Sequence, residues 1–199
     1  GTIDGANVLS FSVTNASLFV GSGGAFNAAR DSIITTNAVG FSVGSATFTF
    51  ASVSKLTESF TAVSVSVTNA GFVGVDGFEI WVSGTVNLNS TSRIDGQRVD
   101  WDSATTVPST GTNLLAGIAI DQAVELQVVS ASAAVNVFGF FVATVGPNNF
   151  TLTRATANVV TGNAALGTLT GASVFSISLD GLNAFAGVGA SLSGSSSSA

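Results

Sequence analysis

Leu9-Ser10-Phe11-Ser12-Val13-Thr14 alternates apolar and polar at every step, as do Val63-Ser64-Val65-Ser66-Val67-Thr68 and Phe175-Ser176-Ile177-Ser178-Leu179-Asp180. Successive side chains of a strand point to opposite faces, so each segment reads as a strand with one apolar face and one mostly hydroxyl face. Ala46-Thr47-Phe48-Thr49-Phe50 repeats the pattern with larger rings. Small polar clusters separate these runs: Thr14-Asn15-Ala16, Ser22-Gly23-Gly24, Asn69-Ala70-Gly71 and Asp180-Gly181. Glycine and asparagine tolerate positive φ, which suits such clusters to turns. Gly146-Pro147-Asn148-Asn149 reads as a tight turn for the same reason. The best helix candidate, Asn27 to Thr35, is short and ends on β-branched residues. The pattern predicts an all-β fold.

A long repeat underlies these strands. Gly1-Thr2 matches Gly167-Thr168, and with no gap Gly5-Ala6 falls on Gly171-Ala172, Val8 on Val174, and Ser10 and Ser12 on Ser176 and Ser178. Phe19, Gly21 and Gly23 then fall on Phe185, Gly187 and Gly189, all 166 positions on. A fixed long period marks a tandem array, so 1–166 reads as one full repeat unit and 167–199 as the first part of the next. Inside the unit, Ser12-Val13-Thr14-Asn15-Ala16 recurs verbatim as Ser66-Val67-Thr68-Asn69-Ala70, and Ile118-Ala119-Ile120-Asp121-Gln122-Ala123 is a weaker third copy. These echoes divide the unit into sub-units of about 1–60, 61–113 and 114–166. A β-solenoid-like repeat unit is the preferred architecture, because stacked coils share apolar interfaces; tandem β-sandwich repeats are the alternative.

Composition narrows the function classes. The chain of 199 residues is 46% hydrophobic and only 8% charged, and no apolar run approaches the roughly 20 residues of a membrane-spanning helix. Five scattered cations, Arg30, Lys55, Arg93, Arg98 and Arg154, against 11 acids do not make the basic footprint of a nucleic-acid protein. Anionic membranes are disfavoured likewise, and no membrane insertion is expected. Cysteine, histidine, methionine and tyrosine are absent. That profile suits an oxidising exterior, so the expected location is extracellular or at the cell surface. Gly1-Thr2 lies inside the repeat, so any export signal is expected elsewhere in a longer parent.

Without histidine, Ser-His and Cys-His nucleophile systems are excluded. A Ser–Lys dyad would need Lys55 beside Ser52 or Ser54, against the plainer reading of a solvated lysine at a strand end. Asp76/Glu79 or Asp100/Asp102 could pair as glycosidase carboxylates, but surface turn acids are the simpler reading. No enzyme is expected. Arg93 to Asn113 breaks the strand rhythm with the densest charge in the chain, then Pro108 and Gly111, and reads as an excursion or loop. Its Asp95, Asp100 and Asp102 are the candidate calcium ligands, since hard cations take carboxylate oxygens and Asp100 and Asp102 would share one face if extended. The alternative is a loop salt-bridged through Arg93 and Arg98. Apart from calcium, no cofactor is expected. Asn15, Asn89 and Asn149 each open a glycosylation sequon. The alternating phenylalanines, among them Phe11, Phe48, Phe50, Phe138 and Phe140, read as a ring ladder inside the core rather than a binding face.

Ser17-Leu18-Phe19-Val20-Gly21-Ser22-Gly23-Gly24, Ala38-Val39-Gly40-Phe41-Ser42, Val73-Gly74-Val75-Asp76-Gly77-Phe78 and Val99-Asp100-Trp101 resemble the long β-strand repeats of giant bacterial surface proteins. The resemblance implies a secreted or surface-attached array acting as stalk, adhesin or matrix fibre. The expected function is that of a non-enzymatic structural repeat assembling head to tail into filaments. The alternative is an extracellular binding module for surface glycans or ice, using a flat Ser/Thr-rich β face.

Overall fold

The structure is a computed structural model that describes residues 1–106, 113–115 and 117–192. Pro108, Gly111 and the serine-rich tail from Gly194 to Ala199 lie outside the described residues. The alternating segments form long strands: β1 (Asn7–Ser22), β4 (Val39–Lys55), β5 (Glu58–Val73), β6 (Phe78–Thr91), β7 (Val124–Val137), β8 (Phe141–Val160) and β9 (Thr168–Leu179). Short strands β2 (Ala25–Phe26) and β3 (Ile33–Ile34) form a separate hairpin, and β10 is Asn183–Ala186. One sheet runs β1-β4-β5-β6-β7-β8, and β9 and β10 share its last edge, both paired to β8.

Every pairing is antiparallel. The chain therefore runs back and forth as a meander, where coils wound in one direction would stack in parallel. Stacked coils are not found among the described residues. Alternation defines the two faces of a strand but not the direction of its neighbour, so the same pattern is compatible with either arrangement. Three local expectations also change. Asn27–Thr35 is not a helix: the Asn27 side-chain oxygen accepts the backbone N–H groups of Asp31 and Ser32, and Ile33–Ile34 enters β3. A short amide side chain that bonds nearby N–H groups competes with helix formation in this way. Gly146–Asn149 does not reverse the chain but bulges within β8, between Val145 opposite Ala133 and Phe150 opposite Ala131. A bulge accepts a proline that a regular ladder would reject. Ile118–Ala123 is not a strand.

Around mid-height the strands sort their side chains cleanly, whereas nearer the Asn7 end of β1 the face of Ser12, Thr49 and Ser64 carries Ala51, Val53, Phe60 and Ala62. One row of directly opposed residues runs Ser12, Thr49, Ser64, Asn87, Gln127, Thr153, Ser176. The adjacent row, on the other face, runs Phe11, Phe50, Val63, Leu88, Leu126, Arg154, Phe175. The sheet thus has a hydroxyl and amide face and an apolar face. Phe11 stacks on Phe50 and Phe48 at ring-centroid distances of 5.3 and 5.7 Å, so the phenylalanine ladder exists. It is not inside a core: Phe11, Val13, Leu88, Phe175 and Ile177 are all exposed, as are Phe138 and Phe140. Pattern reveals which residues share a face, whereas covering that face requires a second layer.

The hydroxyl face is where the core forms. Between β6 and β7 the described residues 92–106, 113–115 and 117–123 leave the sheet, and this excursion folds back over it. Trp101, Ile118 and Ile120 are buried against Ala51, Val53, Phe60 and Ala62. Ala51 and Ala62 sit opposite each other and have no exposed surface; their small side chains let the indole approach the backbone of the sheet. Asn89, paired with Ala62 and also fully buried, anchors the excursion. Its Oδ1 accepts the Trp101 Nε1–H at 2.9 Å, and its Nδ2 donates to the carbonyls of Val99 and Asp121 at 2.8 and 3.2 Å. Asn87 Nδ2 and Gln127 Nε2 both donate to the Ala119 carbonyl. Polar residues of the sheet therefore hold the excursion's backbone, while its apolar side chains fill the space between.

Trp101→Ala should destabilise the protein by about 3–5 kcal/mol, the range for deleting a buried aromatic, as measured by urea unfolding. Asn89→Ala should cost about 2 kcal/mol or more through the carbonyls and indole N–H it leaves unpaired. Both variants should become sensitive to proteolysis within residues 92–123 before the strands are cut. A variant that loses less than about 1 kcal/mol would show that the excursion does not depend on this anchor.

Candidate functional site

The charged side chains of the excursion were the strongest chemical signal in the chain, and the structure gives most of them individual partners. Arg93 follows β6 and reaches two carboxylates. Its Nη1 bonds Glu58 at 2.9 Å, and its Nε and Nη2 form a two-point contact with Asp95 at 3.0 and 2.7 Å. The Gln97 backbone N–H also donates to Asp95. The Arg93 hydrogen bonds, then the Gln97 N–H, stabilise the ionised carboxylate and lower the pKa of Asp95 to about 2. Reciprocally, Asp95 and Glu58 hold the Arg93 guanidinium even more firmly protonated than usual.

Asp100 accepts a hydrogen bond from the Ser103 hydroxyl at 2.8 Å, and Asp102 is exposed. Residues 101–103 form a turn, so Asp100 and Asp102 do not take the extended geometry that would put them on one face. Among the described residues no group of three or more acidic, histidine or cysteine side chains gathers as a metal site. The salt-bridged loop is realised at Arg93. Arg98 turns elsewhere, to Glu125 at 3.2 Å, and Arg154 meets the same carboxylate at 3.4 Å.

Other candidates are separated by the geometry of the strands. Ser52 and Ser54 have the opposite parity to Lys55 in β4, so their side chains leave the other face of the sheet. Asp76 lies in the turn between β5 and β6, whereas Glu79 lies within β6 and accepts from Asn136 Nδ2. Of the sequon asparagines, Asn89 is buried and fully engaged with the excursion, which removes it as a glycan acceptor. An open groove of about 990 Å³ lies between the N-terminal stretch and the excursion, with Asp4, Arg93, Arg98, Asp100 and Leu115 in its lining. Both signs of charge occur along it, and its arginines already hold carboxylates.

The hydroxyl face carries cross-strand bonds of its own: Ser12 Oγ lies 3.1 Å from Thr49 Oγ1, and Thr85 donates to Ser66 at 3.0 Å. Sequence reasoning missed the Trp101–Asn89 anchor and the Arg98–Glu125–Arg154 cluster. For the anchor a signal existed, since Trp101 is one of two tryptophans and stands in the most charged stretch. The arginine cluster had no such signal, because its members come from distant parts of the chain. The chain matches no protein-family model, no curated protein and no solved structure in the comparisons made.

The Asp95 clamp gives a signed pH dependence. A carboxylate whose folded pKa is depressed contributes stability that is present above its ordinary value near 3.8 and is lost as the pH falls towards about 2. The Tm difference between the protein and Asp95→Asn should therefore be constant above pH 5 and shrink towards zero between pH 4 and about 2. Calcium added to chelator-treated protein should leave the Tm unchanged, because Arg93 already occupies Asp95. A rise in Tm would restore Asp95, Asp100 and Asp102 as ligands.

Proposed function

We infer that this chain is a non-enzymatic structural repeat, built so that tandem copies join into one sheet within a secreted or cell-surface fibre. The observation that carries this reading is the position of the repeated segment. β1 lies at one edge of the sheet, and β9 with β10, its copy 166 positions later, lies at the other. Local geometry agrees between the copies. Gly5, Asn15 and Gly23 have φ of 66, 56 and 84°, and Gly171, Gly181 and Gly189 have 65, 60 and 90°. A β-carbon placed on Gly21 would lie 2.8 Å from the Phe19 ring, and one on Gly187 would lie 2.7 Å from the Phe185 ring. Each glycine accommodates the ring two residues before it.

Six strand positions, β1, β4, β5, β6, β7 and β8, precede the copy. An even number of antiparallel strands returns the chain to its starting direction. The copy consequently enters the sheet as β1 did, and a following unit could continue the meander without reversing. At roughly 4.8 Å per strand, each unit would advance the sheet by about 29 Å. This repeat type replaces the solenoid with a ribbon whose strands lie across its long axis. The absence of cysteine, histidine and methionine fits an oxidising exterior.

A binding role for the hydroxyl face, towards glycans or ice, is the second reading, favoured by the unbroken row from Ser12 to Ser64. The row then meets Asn87 and Gln127, which hold the excursion, so the open flat area is short.

Electron microscopy and light scattering across a concentration series test the fibre reading. The expected result is filaments whose scattering rises with protein concentration and whose axial repeat is about 29 Å. Monomers at every concentration, or closed side-by-side dimers, would count against it. Ice recrystallisation inhibition or glycan-array binding by the monomer would favour the second reading.

A further inference from the structure

The two copies of the repeated segment use different sides. β1 pairs with β4 on one side, and no strand among the described residues pairs with its other side. In the copy the relation is reversed: β9 and β10 pair with β8 through the side that β1 leaves open. Both copies run in the same direction, and both put serines on the hydroxyl face (Ser12 in β1, Ser176 and Ser178 in β9). Over positions 7–13 and 17–20, the open side of β1 is therefore the counterpart of the surface that already holds β8; residues 2–6 lie outside β1 and do not extend it.

We propose that β8 accepts β1 of a second copy of this chain in place of its own β9 and β10, so that one sheet runs through both molecules. This rests on the tandem-repeat reading above and names the partner and register of the contact. Subtracting 166 from the existing pairs gives that register. Thr151, now opposite Ser178, would face Ser12; Leu152, opposite Ile177, would face Phe11; Phe150, opposite Leu179, would face Val13. Beyond the break in the edge strand, Val142, now opposite Phe185, would face Phe19. Hydroxyl meets hydroxyl on one face and apolar meets apolar on the other, as in the resident strand. Asn15 replaces Gly181 at the break and already has φ of 56°.

The incoming β1 keeps its own β4, so the donor sheet loses nothing. The resident strand is held only by β8 on one side, and its residues are almost all exposed. Its advantage is its tether through residues 161–167, which gives it an effective concentration in the millimolar range. Exchange is accordingly concentration-dependent. Each chain can donate at β1 and accept at β8, a heterologous contact that does not close and so propagates.

These 199 residues contain no cysteine, so cross-links can be placed cleanly. One full-length chain carries Ser12→Cys and another carries Thr151→Cys. Within a single chain β1 and β8 are separated by the four strands β4 to β7. That is about 24 Å, far beyond the reach of a disulfide at under about 7 Å. Oxidation of the mixture should give a covalent heterodimer whose yield rises with concentration. Phe175→Pro with Ser176→Pro, added to the Thr151→Cys chain, should raise that yield roughly tenfold by weakening the tethered competitor. Because N–H direction alternates along a strand, one of the two prolines must remove a bond to β8. A chain carrying both Thr151→Cys and Ser178→Cys should close internally and, once closed, stop accepting a partner.

If that internal disulfide forms but no heterodimer appears, with or without the prolines at high concentration, strand exchange is overturned. Filaments without the heterodimer would leave the fibre reading standing and remove this contact. A heterodimer that never extends beyond short oligomers would support the contact and count against the fibre.

Discussion

Backbone pairing carries this molecule to an unusual degree, because most of the sheet has no second layer among the described residues. The cluster of buried apolar side chains lies at one end, where Trp101, Ile118 and Ile120 meet Ala51 and Ala62, and the buried apolar residues elsewhere are mostly small, such as Ala70 and Ala134. Elsewhere the strands depend on hydrogen bonds to their neighbours and on contacts along each face. Such a sheet holds its register only if every strand agrees with the next. Most of the irregularities are accordingly grouped at one level. These pairing shifts fall between Val13 and Leu18 in β1, between Val67 and Ala70 in β5, between Ser83 and Thr85 in β6, and between Val128 and Ala133 in β7, while two others, Val124/Leu126 in β7 and Ala157/Val159 in β8, lie nearer the Asn7 end of the sheet. The edge strand breaks between Leu179 and Asn183 at the same level. Bulges bend a strand and increase its twist. Aligned across the sheet, they bend all the strands together rather than prying neighbours apart.

The excursion solves the opposite problem. A hydroxyl face cannot recruit a covering layer by apolar contact alone. Here amides add to the apolar contact with Ala51, Val53, Phe60 and Ala62: Asn87, Asn89 and Gln127 take up the carbonyls of Val99, Ala119 and Asp121. Charges then fasten its flanks, Arg93 to Glu58 near its start and Arg98 to Glu125 at the foot of β7. The densest charge in the chain therefore serves to seat a loop.

Much of the strand content could be read from the sequence. Residues 9–14, 63–68 and 175–180 alternate and lie in or at the end of β1, β5 and β9. The verbatim Ser-Val-Thr-Asn-Ala echo also has a structural counterpart, since Asn15 and Asn69 have φ of 56 and 54° at equivalent bulges. Pairing direction could not be read, because a two-residue period is blind to the neighbouring strand. Nor could the covering of a face: alternation sets Phe11, Phe48 and Phe50 on one face, and the core forms on the other. Asp100 and Asp102 share a face only in an extended chain, and residues 101–103 form a turn. Trp101 is buried by a contact that Asn89 makes across the fold, and no local pattern encodes that contact.

The register of the sheet explains how a segment can serve at both edges. Followed across the strands, the row that begins at Ser12 arrives at Ser176, the counterpart of position 10. Above the bulges, the row that begins at Phe19 passes Ser42, Gly71, Trp81, Ala134 and Thr144 and arrives at Asn183, the counterpart of position 17. Both halves thus slip by two residues per unit, about 7 Å along the strands. The bulges between them must cancel over the unit for this to hold. The size of the slip matters as much as its consistency. A slip of one residue would turn every side chain of the copy to the wrong face, setting Phe175 and Ile177 among the hydroxyls. A slip of two preserves the alternation, so the apolar face of one unit would lead into the apolar face of the next. Unequal slips in the two halves would accumulate shear at the line of bulges with each added unit. Equal and even slips are what a sheet needs to be extended without limit.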